Sequence, residues 1–524
     1  MEVSGRINLM SILADTSLIF LISLCFPGKW KIVTLLFPIV LAAVAFANVL
    51  YFRFFGDIIP ASMYFSSIVF NNATLGGAAL AYSWTDFLLF FIALLPTAYI
   101  LIMRKSGVIK ANTGWKTFLV DGVLLIISWV YMARYWYEIE SEYYPGLSFM
   151  EVNAKLNEEK EEKWSFFYKH YNFTGYLIKC LYEAGSLHKN LSAEDKEFIS
   201  NHLRSRYAAL RGEFGTPPDN LIMIVVESLP NKLLESEKMP KLAPVLTGIL
   251  ESDSTLYLAC QDLTGYGSSS DAQLMYNTGL LPLRNEAFVL NYGLNDFPAL
   301  AKALGKQSVE MIGEEAMLWR HNDTSLSYGF ERLIDGIAPW NVMNQDSLIF
   351  RRAAEQLREM KSPFFLFLST LSMHVAYKEQ KVPRYFQASD LETGSPEELE
   401  YYNRVHHFDR QLGIFLDELK RQGKYYNSLI VIIGDHNIPE RGGIKGLDDG
   451  HVPLIILNSP RMETGDFPFT QADVFPTILD LMNVRYEFKG IPYSGLGSSI
   501  FSTDHHAPSE ADYEVSELLI KGFY

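Results

Sequence analysis

Long apolar runs are concentrated in the first quarter of the chain. Segments 9–26, 32–52, 87–103 and 117–133 each approach the ~20 apolar residues that a helix needs to cross a ~30 Å hydrocarbon core. Segment 61–82 is weaker because it carries Asn71 and Asn72, although its small residues suit a helix that packs against other helices in lipid. The pattern predicts an N-terminal transmembrane bundle of about five helices over residues 1–135.

The charges between these segments predict which way the bundle faces. Five spans with a cytoplasmic N-terminus would place everything after residue 133 outside. The fourth connection, which is then cytoplasmic, carries Arg104, Lys105, Lys110 and Lys116, in agreement with the preference for basic cytoplasmic loops. Segment 9–26 lacks a small-residue cleavage site and is interpreted as a retained helix.

The rest of the chain alternates short apolar runs with helical patterns. Residues 136–216 are rich in mixed charge and predict a solvated helical linker. Continuous apolar runs follow and predict strands buried on both faces, in a mostly parallel sheet between helices. Residues 398–421 are amphipathic and predict a covering helix. We therefore expect an α/β domain over 217–505 and a C-terminal tail over 506–524. The predicted strands are 221–226, 309–312, 364–368, 429–433 and 454–457.

Charge and cysteine content exclude several classes of protein. With 45 Lys and Arg against 60 Asp and Glu, the net charge is −15, whereas a nucleic-acid binder needs a basic surface. Three scattered cysteines are too few for a disulfide scaffold or a thiolate metal site.

Polar residues stand directly after three of the predicted strands. Glu227 follows the first, Asp435 and His436 follow the fourth, and His374 comes shortly after the third. Ligand sites in such sheets gather at the carboxyl ends of the strands. Carboxylates and an imidazole suit a divalent cation such as Mn²⁺ or Zn²⁺.

A Gly- and Ser-rich segment, 265–271, offers a fourth ligand and a nucleophile. Glycines allow a close approach of the backbone to an anion, and a cation would acidify a serine hydroxyl. Each motif also has a purely structural interpretation, because Glu-Ser often begins a helix and Gly/Ser runs are often loops. The residues alone leave Ser268, Ser269 and Ser270 open as the nucleophile.

In their order along the chain, these motifs resemble the lipoteichoic acid synthase group of membrane phosphotransferases. These enzymes are relatives of the phosphoethanolamine transferases, sulfatases and alkaline phosphatases. The resemblance implies an α/β fold of the alkaline phosphatase type for the C-terminal domain. It also implies that Glu227, Ser269, Asp435 and His436 bind one metal ion, Mn²⁺, Zn²⁺ or Mg²⁺, and that Ser269 is the nucleophile.

Four further positions are implied by the resemblance to contact the substrate. Trp319 and His321 resemble a Trp-Asn-Arg segment of the family, His374 stands where a histidine contacts phosphate, and His451 begins a similar His-x-Pro strand. The chain departs from the family at Ser269, where the nearest members have Thr, and at His321, where they have Arg. A neutral imidazole would not reproduce a bidentate guanidinium.

The resemblance implies a metal-dependent transferase in the bacterial cytoplasmic membrane, multi-pass, with an extracytoplasmic catalytic domain. It would move phosphoglycerol or phosphoethanolamine from phosphatidylglycerol or phosphatidylethanolamine to a glycan, lipid or polymer acceptor through a phosphoserine. A membrane-tethered phosphodiesterase that uses water as acceptor stays open as an alternative, as does a non-catalytic scaffold that kept the fold. The headgroup, the acceptor, the metal and the oligomeric state stay open too.

Overall fold

The structure is a computed structural model that describes most of the C-terminal two thirds of the chain. It covers residues 189–207 and 216–523, except 285, 317–318, 340–341, 376, 378 and 440–441, and a few helical positions between 39 and 130. The chain divides into two compact units, Met1–Leu187 and His188–Tyr524. Apart from those helical positions, the five predicted spans lie outside the described residues, as does most of the predicted linker. Within the described part, no helix combines the length and the apolarity that crossing a bilayer requires.

An eight-stranded mixed sheet forms the centre of the C-terminal unit. In spatial order the strands are β5 (Arg332–Ile334), β4 (Gln307–Met311), β6 (Phe364–Ser369), β2 (Asn220–Val226), β7 (Ser428–Gly434), β8 (His451–Leu457), β3 (Thr255–Gln261) and β9 (Phe469–Thr470). The first five of these are mutually parallel, and β8 runs antiparallel to both of its neighbours. Two small pairs lie apart from it, β1 (Lys189–Asn190) with β12 (Gly522–Phe523) and β10 (Tyr486–Phe488) with β11 (Ile491–Tyr493).

Helices connect the strands and cover the sheet. The described helices are α1 (Ala193–Tyr207), α2 (Asn231–Leu234), α3 (Met239–Leu242), α4 (Pro244–Leu250), α5 (Ser269–Thr278), α6 (Val289–Tyr292), α7 (Leu300–Leu304), α8 (His321–Tyr328), α9 (Gln345–Glu359), α10 (Ala388–Leu391), α11 (Pro396–Arg421), α12 (Val474–Leu481) and α13 (Glu510–Lys521). A 3₁₀ turn, Gln471–Asp473, precedes α12.

All five predicted strands are present, as is the predicted covering helix. Helix α11 begins where Ser395 accepts a hydrogen bond from the Glu398 N–H at 3.1 Å, with Pro396 in the first turn, a combination typical of a helix start. One face of the central strands, including Ile222 and Ile224, shares a core with α11. The prediction of an α/β domain is confirmed.

The segment predicted as a C-terminal tail contains helix α13, which packs against α1. Asp512 of α13 accepts hydrogen bonds from Arg206 Nε and His202 Nε2 of α1, both at 2.8 Å. Strand β12, directly after α13, pairs with β1. Residues 189–207 of the predicted linker, which form β1 and α1, thus belong to the same compact unit as the sheet. The predicted domain boundaries stay predictions.

Candidate functional site

Two neighbouring parallel strands bring a carboxylate and an Asp-His pair to one edge of the sheet. Val226 and Gly434 are register partners at the ends of β2 and β7, so Glu227 and Asp435 emerge side by side. Glu227, Asp435 and His436 are all buried, and one ligand atom from each lies within 4.8 Å of the others. The sequence-predicted cluster is therefore assembled by the strand register.

The imidazole of His436 is oriented by its own loop. Its Nδ1 lies 2.7 Å from the carbonyl oxygen of Asn437. A carbonyl only accepts, so Nδ1 carries the proton in this pair. Nε2 then faces the carboxylates, 3.5 Å from Asp435 Oδ2 and 3.7 Å from Glu227 Oε1. In the neutral ring this nitrogen holds the lone pair that a cation needs.

The charges of this buried cluster attract a cation. Burial, with the charge of Glu227 added, raises the pKa of Asp435. Burial alone would lower the pKa of His436, but the charges of Asp435 and Glu227 outweigh the effect of burial and raise this pKa. The carboxylates repel one another and attract positive charge. Two carboxylates and an imidazole at this separation fit a divalent cation.

Between Ser269 and Ser270, it is Ser269 whose hydroxyl reaches this cluster. Its Oγ lies 3.2 Å from His436 Nε2 and 3.4 Å from Glu227 Oε2. The hydroxyl of Ser270 instead donates to the Gly267 carbonyl at 2.8 Å. Ser269 is the first residue of α5, and Ser268 before it has φ +44°, a conformation that costs a non-glycine residue energy. The turn presents Ser269 at a helix N-terminus, where anions are stabilised.

Residues that the sequence did not single out form hydrogen bonds that support the main chain of the site. Gln471 Nε2 donates to the Asp435 carbonyl at 2.6 Å and to the Tyr276 hydroxyl at 2.8 Å. The Tyr276 hydroxyl donates to the Gly434 carbonyl at 2.6 Å, and Thr370 Oγ1 accepts the Glu227 N–H at 3.1 Å. No spacing signal marks these residues, because they come from separate parts of the chain. From the sequence, Gln471 could be identified only by its place at the start of the turn that precedes α12.

His374 and His451 lie toward the edge of the sheet at which β2 and β7 end. This is the edge where β6 ends and where β8, which is antiparallel, begins. His374 is in the loop after β6; its Nδ1 donates to the Val375 carbonyl, and its own carbonyl accepts from Arg404 at 2.5 Å. His451 begins β8, and its Nδ1 donates to the Asp449 carbonyl at 2.8 Å. Their roles toward a substrate stay predictions.

His321 points into the domain. Only 4% of it is exposed, and its Nε2 and Nδ1 lie 3.5 Å from Glu314 and 4.0 Å from Glu310. Burial would lower the pKa of His321, but these carboxylates outweigh it and raise the pKa. These carboxylates thus favour the protonated ring more than water does, an environment that could not be predicted from the position of His321 in the sequence. Trp319, in the turn before α8, is partly exposed.

Comparison with known proteins places the chain in a family. The sulfatase family model matches residues 220–484, which include every strand end of the site, and the model of the lipoteichoic acid synthase N-terminal domain matches residues 3–139. The chain belongs to the sulfatase family. This sulfatase-family protein is 27% identical to lipoteichoic acid synthase of Staphylococcus saprophyticus, over 96% of this chain and 80% of the relative. It is 23% identical to lipoteichoic acid synthase 1 of Bacillus subtilis, over 94% and 79% respectively.

A solved structure shows the same fold. The lipooligosaccharide phosphoethanolamine transferase A of Neisseria meningitidis, an integral membrane protein, matches with a TM-score of 0.52 at 14% identity, over 87% of this chain and 85% of that chain. The prediction of a lipoteichoic acid synthase-like phosphotransferase of the sulfatase family is confirmed.

Proposed function

We propose that this protein transfers a phospholipid headgroup to a glycan, lipid or polymer acceptor through a phosphoserine at Ser269. The observation that carries the proposal is the position of Ser269 Oγ, 3.2 Å from His436 Nε2 and 3.4 Å from Glu227 Oε2, at the N-terminus of a ten-residue helix. A nucleophile held beside a cation site and a helix N-terminus is suited to attack an anionic phosphodiester.

Glu227, Asp435, His436 and Ser269 would hold one divalent cation, Mn²⁺, Zn²⁺ or Mg²⁺. When bound, it supplies positive charge that acidifies the serine hydroxyl and neutralises a phosphate oxygen. That charge also explains how a chain with a net charge of −15 accepts an anionic substrate.

The chain's own residues then carry out two displacements. Ser269 Oγ loses its proton to solvent and attacks phosphorus; an O–P bond forms, the bond from phosphorus to the diacylglycerol oxygen breaks, and that oxygen takes up a proton. His374 would hold the phosphoryl oxygens or protonate that leaving oxygen, with His451 in support and Trp319 lining the headgroup pocket. An acceptor hydroxyl then attacks the same phosphorus and forms a new O–P bond, the bond from phosphorus to Ser269 Oγ breaks, and the proton of the acceptor returns to Ser269. Two in-line attacks retain the configuration at phosphorus.

The relatives support the donor and the location. Similarity to lipoteichoic acid synthases over 94–96% of the chain favours phosphoglycerol from phosphatidylglycerol over phosphoethanolamine from phosphatidylethanolamine. The match of the N-terminal domain model over residues 3–139 supports a multi-pass protein of the bacterial cytoplasmic membrane, with the catalytic domain outside.

The deciding experiment follows labelled phospholipid through the full-length protein. Ser269→Ala should abolish headgroup transfer and leave metal content intact, because both carboxylates and the imidazole of the site remain. Ser270→Ala is the matched control and should retain the covalent adduct, since its hydroxyl bonds the Gly267 carbonyl. Mass spectrometry of the peptide containing 265–271 should show the adduct on Ser269 and identify the headgroup by mass. Full activity of Ser269→Ala rejects the assignment, and release of free headgroup phosphate without a modified acceptor identifies a hydrolase.

A further inference from the structure

Asp262 joins the end of β3 to the loop that carries His436. Its Oδ2 accepts two hydrogen bonds from Asn437, from the main-chain N–H at 2.8 Å and from Nδ2 at 3.0 Å. Its Oδ1 accepts two from Thr264, from the main-chain N–H at 2.9 Å and from the hydroxyl at 2.6 Å. The main-chain N–H of Asp262 donates to the Gly450 carbonyl at 2.8 Å. Hydrogen bonds therefore hold both carboxylate oxygens of Asp262 and also its main chain.

What Asp262 holds is the residue that orients the imidazole. Asn437 supplies the carbonyl that accepts the Nδ1–H of His436 at 2.7 Å. The direction of that carbonyl depends on the peptide plane between residues 437 and 438, and Asp262 clamps Asn437 at both its main chain and its side chain. A rotation of Asn437 would remove the acceptor from Nδ1 and release the ring.

We propose that Asp262 is a positioning residue for the metal site: by clamping Asn437 it holds the His436 ring so that Nε2 faces Glu227, Asp435 and Ser269. The inference rests on the proposed function, which supplies the cation. In this proposal Asp262 is not a ligand of the cation and acts on the His436 ring through Asn437. Outer-shell groups that orient a metal-ligating histidine typically contribute about 10- to 100-fold to metal affinity, and Asp262 belongs to this shell through Asn437.

Replacement by asparagine tests the clamp with almost no change of shape. Asp262 accepts four hydrogen bonds, two on each oxygen. An amide has one acceptor oxygen and one NH₂ donor. Whichever way the side chain of Asp262→Asn turns, two donors from either Asn437 or Thr264 face its NH₂ group. We therefore expect the loop to shift although the side chain still fits.

The experiment titrates Mn²⁺ and Co²⁺ into the full-length protein and records affinity and the visible absorption of the Co²⁺ form. Asp262→Asn should weaken binding of both ions by about 10- to 100-fold and change the Co²⁺ spectrum. Asn437→Ala, which removes one of the two bonds and keeps Asp262, should weaken binding less. Asp448→Asn is the matched control: this exposed carboxylate caps the neighbouring turn by accepting the Gly450 N–H at 2.9 Å, and its loss should leave affinity and spectrum unchanged.

The outcomes separate this inference from the proposed function. Unchanged affinity and spectrum in Asp262→Asn, or in Asn437→Ala if the first variant does not fold, overturn the positioning role alone. Failure of the unsubstituted protein to bind either ion overturns the proposed function and this inference with it. The unfolding temperature of each metal-free variant shows whether weaker binding merely reflects a damaged fold, a result that would also contradict the inference.

Discussion

Gly267 lies so close to the Asp271 side chain that any larger residue would force neighbouring atoms to move. A Cβ atom there would lie 2.2 Å from Asp271 Oδ1 and 2.5 Å from Ser270 Oγ. Asp271 Oδ2 in turn accepts the N–H groups of Gly265 and Gly267 at 3.0 and 2.9 Å. This carboxylate therefore fixes the turn that presents Ser269.

Gly267→Ala is expected to displace this turn and misplace Ser269. Adduct formation should fall by on the order of 10²-fold, the usual cost of a displacement of about 1 Å at a reacting group, with a loss of about 1–3 kcal/mol in stability from overpacking. Gly265→Ala is the control, because a Cβ there meets nothing closer than 3.7 Å. Rapid-quench measurement of the adduct and thermal unfolding test both effects. Equal rates in the two variants would show that the turn tolerates the shift.

Residues at the site differ in how visible they are in the sequence. Glu227 and Asp435 could be singled out because each directly follows a buried apolar strand, and parallel strands end at the same edge. Asp262 could not, since its bond to Asn437 joins residues 175 positions apart, and that contact depends on how β3 pairs with β8. Hydrophobic patterns predict strands but do not give this register.

At the scale of elements, the pairing of α1 with α13 depends on one buried carboxylate. Burial would raise the pKa of Asp512, but hydrogen bonds from His202, Ser509 and Arg206 outweigh it and lower the pKa to about 2. A lowered pKa stabilises the folded state above about pH 4, and this contribution of about 2 kcal/mol is lost as the pH falls toward about 2.

Asp512→Asn should therefore destabilise the fold by about 3 kcal/mol at neutral pH, because the buried Arg206 loses its counter-charge. The difference from the unsubstituted protein should narrow below about pH 4. Thermal unfolding over a pH series measures it. Glu510→Gln, on the same helix turn, removes the exposed pair with Arg284 and should leave the unfolding temperature nearly unchanged. A pH-independent difference would mean that packing, and not charge, joins the two helices.

Strands with apolar residues on both faces were predictable, and the remaining elements were less so. β2 and β7 are buried along their whole length, so their runs are continuous in the sequence. β3 has partly exposed positions and reads as a mixed pattern, while β5 has three residues and β9 two, too few for any periodicity. Helix α13 did have a signal, since Val515, Leu518 and Leu519 recur at helical spacing and are buried.

For the whole molecule, we expect stability and activity to depend most strongly on the bound cation. The chain is acidic, with a net charge of −15, and its candidate site adds two buried carboxylates whose repulsion opposes folding. A cation that binds only the folded state stabilises it by about 2.7 kcal/mol when present at 100 times its dissociation constant. Chelation should therefore lower the unfolding temperature and abolish headgroup transfer together, and both should return on addition of Mn²⁺.

This stabilisation should also depend on pH with a definite sign. Burial and Glu227 raise the pKa of Asp435, and the carboxylates raise that of His436, so without metal the site retains protons that support the fold at low pH and are lost as the pH rises. The cation needs these same groups deprotonated, so it competes with the protons. The rise in unfolding temperature on adding Mn²⁺ should be larger at about pH 8 than at about pH 6, and absent in Asp435→Asn. Scanning calorimetry of the full-length protein at both pH values measures it; a larger rise at the lower pH, or one that persists in Asp435→Asn, would place the cation elsewhere.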